Sequence, residues 1–175
     1  MPGGGRWSAS TPTPGPGSRP TATRPWPGSR SLVALADVVK VSDEDLGWYF
    51  PGLAPSEAAA RWAGLGPAIV VVTRGGSGAS ALRADGTVLD VPGVRTEVVD
   101  TIAAGDTFTA GLLDGLLAAG IWGTDASPRI AGLDDAGLTA VVRRAHAAAA
   151  ITVSRPGADP PTRAGLDARL GDQQA

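Results

Sequence analysis

The sequence predicts a layered α/β fold built around a mostly parallel sheet. Three observations carry that prediction. Ala68-Ile69-Val70-Val71-Val72-Thr73 is a continuous β-branched run, the pattern of a strand buried on both faces of a parallel sheet. Strand patterns alternate with helical ones along the chain, as layered α/β proteins require. Two long helical patterns, about 105–119 and Asp134 to roughly Ile151, carry apolar or small residues at helical spacing and can cover such a sheet.

The elements follow in order. Residues 1–31 hold seven of the 15 prolines, four Arg and no acidic residue, with no helical or strand period, and are expected to be disordered. They lack the apolar centre of a signal peptide, and their proline density opposes an amphipathic transit helix. A start in the wrong frame is the duller reading. Val38-Val39-Lys40-Val41 reads as a short buried strand, and Ser42-Asp43-Glu44-Asp45 supplies a cap and an acidic first turn for a helix. Ser56 to Leu65 suggests another helix. After the strand at 68–73, Ala79–Ala84 and Thr87–Val91 form a hairpin across Asp85-Gly86. The two long helices complete the set, and residues 168–175 read as a tail. No internal repeat is visible.

Composition narrows the function classes. The chain has 175 residues, enough for one domain with a real core, and 43% of them are hydrophobic. Net charge is −2 and the 15 basic residues are 14 scattered Arg and Lys40, which gives no case for nucleic acid or an anionic membrane. No cysteine is present, so disulfide and thiolate chemistry are excluded and a reducing, cytoplasmic setting is expected. The single His146 cannot build a zinc site alone. No apolar run approaches the roughly 20 residues of a membrane span.

Asp100-Thr101-Ile102-Ala103-Ala104-Gly105-Asp106-Thr107-Phe108 is the most informative stretch. A small-residue turn between two carboxylates leads into the helical pattern Phe108, Leu112, Leu113, Leu116, Leu117. Amides opening that helix have no intrahelical partner and suit a phosphate. Asp106 would set a carboxylate base beside it, the minimum for moving a phosphoryl group onto a hydroxyl. Taken alone, an Asp here is more often a helix cap. A second stretch, Thr73-Arg74-Gly75-Gly76-Ser77-Gly78, follows the strongest strand and could cradle phosphate through its amides; a plain glycine turn is the simpler reading. Ser42 to Asp45 needs no role beyond capping. In His146-Ala147-Ala148-Ala149-Ala150-Ile151-Thr152-Val153-Ser154-Arg155-Pro156-Gly157-Ala158, the alanines signal close packing and the histidine a packing or capping residue.

Taken together, and in their order along the chain, these four strings resemble the ribokinase–fructokinase family of sugar kinases. The resemblance spans about 32–167 and corresponds to the second, nucleotide-binding half of a member about twice this length. It implies a ribokinase-like fold, of which this is the C-terminal half, and transfer of phosphate from ATP to a sugar hydroxyl. Asp106 would be the general base, with Ala103, Ala104 and Gly105 forming the anion hole. ATP would meet Ser42, Thr73, Arg74, Gly75, Gly76, Ser77, Gly78 and Gly105, with His146 near the adenine. Asp45 would serve magnesium, although the family has Asn-x-x-Glu where this chain has Ser42 and Asp45. A potassium-like cation would sit among Asp100, Ile102, Thr152, Arg155, Gly157 and Pro161, where the family often has Ser in place of Pro161. Ala103 replaces the usual Gly, a familiar variant. The Ser-Asp-Glu-Asp string leans towards fructokinases. The resemblance further implies a sugar partner whose site is mostly missing here, and a homodimer in full-length members. Two alternatives stand beside the enzyme: a non-catalytic nucleotide-binding module, and an inactive fragment.

Overall fold

The computed structural model describes residues 9–10 and 28–172. Apart from these, the expectation for residues 1–31 lies outside the described residues. Ala9–Ser10 forms a two-residue strand, β1, and the first helix, α1, spans Ser29–Leu35. Then come β2 (Val38–Ser42), α2 (Asp43–Tyr49), α3 (Pro55–Ala63), β3 (Ile69–Thr73), β4 (Ala79–Arg83) and β5 (Val88–Val91). Four helices follow: α4 (Ala104–Ala118), α5 (Ala126–Ala131), α6 (Asp135–Val153) and α7 (Arg163–Asp172).

The described residues form two compact units. The first runs to Gly75 and includes Ala79–Asp90 and Gly123–Gly132. Its sheet has the order β1-β2-β3-β4-β5. β1 and β2 pair in parallel, as do β2 and β3, whereas β3 and β4 are antiparallel. The parallel register sets Ser42 opposite Thr73 at the carboxyl ends of β2 and β3, the edge where open α/β sheets gather ligands. One sheet face packs Val39, Val41, Val70, Val72 and Leu82 against Val33, Leu46, Ala59 and Trp62 from α1, α2 and α3. Ser42 caps α2 as the sequence predicts, its Oγ accepting from the Asp45 N–H at 3.0 Å. Asp85 closes the hairpin turn by accepting from the Thr87 N–H at 2.8 Å.

The second unit takes Gly76–Gly78, Val91–Trp122 and the chain from Leu133. Its centre is the contact between α4 and α6. A Cβ on Gly111 would fall 2.8 Å from Ala145 Cα and 3.0 Å from Ala148 Cβ, so the two backbones touch through glycine and alanine. Gly115, one turn on, has slightly more room against Val141 (3.1 Å). Gly111→Ala is therefore expected to destabilise the fold by about 1–3 kcal/mol despite a better helix former, while Gly115→Ala stays close to neutral. Equal urea midpoints for the two variants would contradict this packing.

Three helices were not legible in the sequence. α1 is held by buried Val33, α5 by Ala126 and Ile130, and α7 by Leu166 and Leu170 against Ala147, Ala148 and Ile151. Each is short and anchored by one or two apolar residues, so tertiary contact rather than local pattern makes it helical. α7 crosses the tail boundary expected at residue 168, because Leu170 packs with Leu166.

Candidate active site

The signature turn opens α4 in an unusual way. Ala103 stands at the N-cap with φ 61°, the only non-glycine residue of positive φ among those described. A left-handed alanine costs about 1–2 kcal/mol, which explains why a glycine suits this position. The Ala104 N–H is spent on Thr101 O at 3.2 Å and the Thr107 N–H on Ala103 O at 2.9 Å. Between them, the amides of Gly105 and Asp106 have no hydrogen-bond partner among the described residues. They stand at the positive end of a 15-residue helix dipole. Both residues are exposed, and no described group hydrogen-bonds the Asp106 carboxylate. Asp106 is thus not acting as a cap: its oxygens are open for a proton while the amides are open for an anion.

Behind this turn Asp100 forms a brace. Its carboxylate accepts from the Ile102 N–H at 3.0 Å and from the Gly157 N–H at 2.9 Å. These two bonds, that from Ile102 first, hold its carboxyl below the ordinary carboxylate range. Val153 O accepts from the amides of Val99 and Asp100, tying the same strap to the end of α6. Of the residues expected around a monovalent cation, Asp100, Ile102 and Gly157 are therefore brought together. Thr152 is buried, its hydroxyl on Thr107 Oγ1 (3.2 Å) and its carbonyl accepting from the Arg155 N–H. The Arg155 side chain pairs with Asp159. Pro161 lines a small cleft of about 190 Å³ with Thr107, Gly111, Asp114 and Arg163. Gly157 O accepts from the Asp159 N–H and keeps a second carbonyl lone pair, the donor class such a cation takes.

An ion-pair network ties the helices that carry this turn. Asp114 on α4 receives Arg144 of α6 at 2.5 Å and also Arg163 of α7; Arg144 reaches Asp167 at 2.7 Å. Burial acts to raise the Asp114 pKa, but hydrogen bonds and charge from both arginines outweigh it and hold the carboxyl below its ordinary value. A depressed carboxyl stabilises the fold above its unfolded pKa, about 3.9, and loses that contribution as pH falls through the folded value. Asp114→Asn is thus expected to lower Tm clearly at pH 7, with the gap to the parent narrowing as pH falls through the depressed value of the folded carboxyl. A gap independent of pH would show that the pairing does not supply the stability.

The other candidates sit as follows. Thr73 ends β3 and its hydroxyl donates to Val41 O at 3.4 Å; Gly75–Ser77 makes one 3₁₀ turn. Gly78 has φ 110° and lies hard against Val91 and Gly93. The Arg74 guanidinium is engaged by Ser80 and Asp90. Ser42 is occupied as a cap, and Asp45 is half-buried close to Tyr49, whose hydroxyl pKa is raised by burial and then by the Asp45 charge. His146 is 6% exposed, with its ring edge-on to Phe108 at 5.1 Å. Its ring is turned towards Phe108 of α4. Among the described residues no cluster of three or more acidic or histidine side chains could hold a metal. A lone carboxylate is still compatible with magnesium, which keeps several waters and leans on substrate phosphates. No described helix is long and apolar enough to cross a membrane.

Residues 20–164 match the pfkB family carbohydrate kinase. The chain belongs to that family. It is 45% identical over 87 residues to a fructokinase of Rhizobium leguminosarum bv. trifolii, covering 50% of this chain and 26% of that protein. Among solved structures it resembles the ATP-bound fructokinase of Xylella fastidiosa, with TM-score 0.83 and 23% identity, over 98% of this chain and 53% of that one. A fructokinase of Vibrio cholerae O395, solved with fructose, ADP and potassium, gives TM-score 0.63 at 28% identity, over 82% and 44%. The fold is thus that of the ribokinase-like kinases. The chain spans about a quarter to a half of the length of these relatives.

Proposed function

We propose that this chain is the nucleotide-binding and phosphoryl-transfer half of an ATP-dependent sugar kinase of fructokinase type. The observation that carries the proposal is the opening of α4: free amides at Gly105 and Asp106 beside an exposed, unengaged carboxylate. Donors fixed by the helix stabilise charge on the transferring phosphoryl without reorganising. Asp106 takes the proton of the attacking sugar hydroxyl, which makes its oxygen a nucleophile as the bond to phosphorus forms. The loop Thr73–Gly78 offers amides to the nucleotide phosphates. Asp45 would hold magnesium through water, and magnesium when bound neutralises phosphate charge. Carbonyls near Asp100 and Gly157 would hold potassium. By the family resemblance, sugar recognition would fall to the half of such a kinase that this chain does not match.

Titration of the chain with magnesium and ATP by calorimetry tests the reading. Gly105→Val sets a branched side chain over the two free amides and is expected to weaken binding by about tenfold, the loss of one charge-assisted hydrogen bond. Equal affinity in the two proteins would remove the helix opening from the phosphate site.

A further inference from the structure

The sequence places Arg74 in the nucleotide loop, where a cation would ordinarily be read as a phosphate ligand. The structure assigns it a different part. We propose that Arg74 is a positioning residue that fastens the start of the nucleotide loop to the β4–β5 hairpin through Ser80 and Asp90. This rests on the nucleotide-binding reading above. Arg74 Nη2 donates to Asp90 Oδ1 at 3.1 Å, Nη1 donates to Ser80 Oγ, and Ser80 Oγ donates to the same Asp90 oxygen at 2.5 Å. One N–H from each terminal nitrogen of Arg74 and the Ser80 hydroxyl meet acceptors in this closed ring, and the arginine charge is already matched by a carboxylate. Ser80 is buried, at 9% exposure, so it fixes the ring to the sheet rather than to a mobile rim. The Ser80 hydrogen bond first, and then Arg74, keep the Asp90 carboxyl below its ordinary range in spite of desolvation.

The need for such a clamp lies in the next two residues. Gly75 and Gly76 have nothing within 4 Å of where a Cβ would stand, so no side-chain packing orders them. Glycines lose the most freedom on ordering. The loop is instead held through Arg74 on Asp90 and through backbone contact, with Gly78 against Val91 and Gly93 and the Gly76 carbonyl also against Gly93. Both anchors fall on one short stretch, residues 90–93. The amides between them are thereby set for phosphate before ATP arrives.

Arg74→Ala, Asp90→Asn and the double variant separate the two roles, read by calorimetry with ATP and with adenosine. The clamp predicts that each single variant weakens ATP binding by about three- to tenfold, with the double variant no worse than either. Adenosine binding should not change, because it has no phosphates to meet the loop. Asp90→Glu should restore part of the loss. Direct phosphate binding by Arg74 predicts instead that Asp90→Asn leaves ATP affinity unchanged or improves it, and that result would overturn the proposal. Amide hydrogen exchange at Gly75–Ser77 gives a second readout that needs no ligand. Faster exchange in Asp90→Asn supports the clamp, and unchanged exchange counts against it. Failure of the parent chain to bind ATP would instead sink the nucleotide reading and the clamp's purpose with it.

Discussion

Asp106→Asn is expected to leave ATP affinity close to that of the parent while phosphoryl transfer to a sugar falls by about two to four orders of magnitude. The substitution keeps shape and volume and removes only the proton acceptor. Transfer would be measured with the chain joined to the sugar-binding half of a fructokinase relative, since the acceptor must be positioned for the chemistry to be read. The rival account, in which Asp106 merely caps α4, predicts nearly full activity, because Asn caps as well as Asp. The geometry already weighs against that account: the carboxylate makes no hydrogen bond among the described residues, and the N-cap position belongs to Ala103. Near-parent turnover by Asp106→Asn would return the residue to a structural role.

The largest stability effect is expected at Gly78. Its φ of 110° lies where side chains are strained, and a Cβ would stand 2.3 Å from Val91 O and 2.7 Å from Gly93 N. Both neighbours are backbone and cannot swing aside. Left-handed strain and the forced separation together should cost on the order of 3 kcal/mol or more in Gly78→Ala. Gly76→Ala is the control, since that position is open and its backbone is ordinary. Urea unfolding of the pair should show a much lower midpoint for the first and little change for the second. Parent-like stability of Gly78→Ala would mean that the loop does not close on residues 91–93.

Much of this was legible in the sequence, for definite physical reasons. The run at 68–73 became β3 because continuous branched apolar residues suit only a strand covered on both faces. Ser42 caps α2 because a short oxygen-bearing side chain reaches the free amide three residues on. The signature turn was readable because small residues and a following amphipathic helix leave a mark in one dimension. What was hidden is what long-range contact decides. Ser80 and Asp90 find Arg74 across the hairpin, and Arg144 reaches Asp114 from 30 residues away. His146 meets Phe108 of another helix. Ala103 adopts a conformation for which alanine has no local preference, so only the fold reveals it.

The interleaving of the two units bears on how the polypeptide is made. The chain passes between them at residues 75/76, 78/79, 90/91, 122/123 and 132/133. The unit that begins first is also closed late, because it needs α5 with its buried Ala126 and Ile130. During synthesis the ribosome must therefore release the chain past residue 132 before either unit has all its parts, and the usual order, amino-terminal body first, is denied to it. Val38 to Val72 would emerge as apolar strands covered on one face by α1 to α3, with α5 still to come. Nascent chains halted before residue 132 should engage holdase chaperones, and those released beyond α6 should let go.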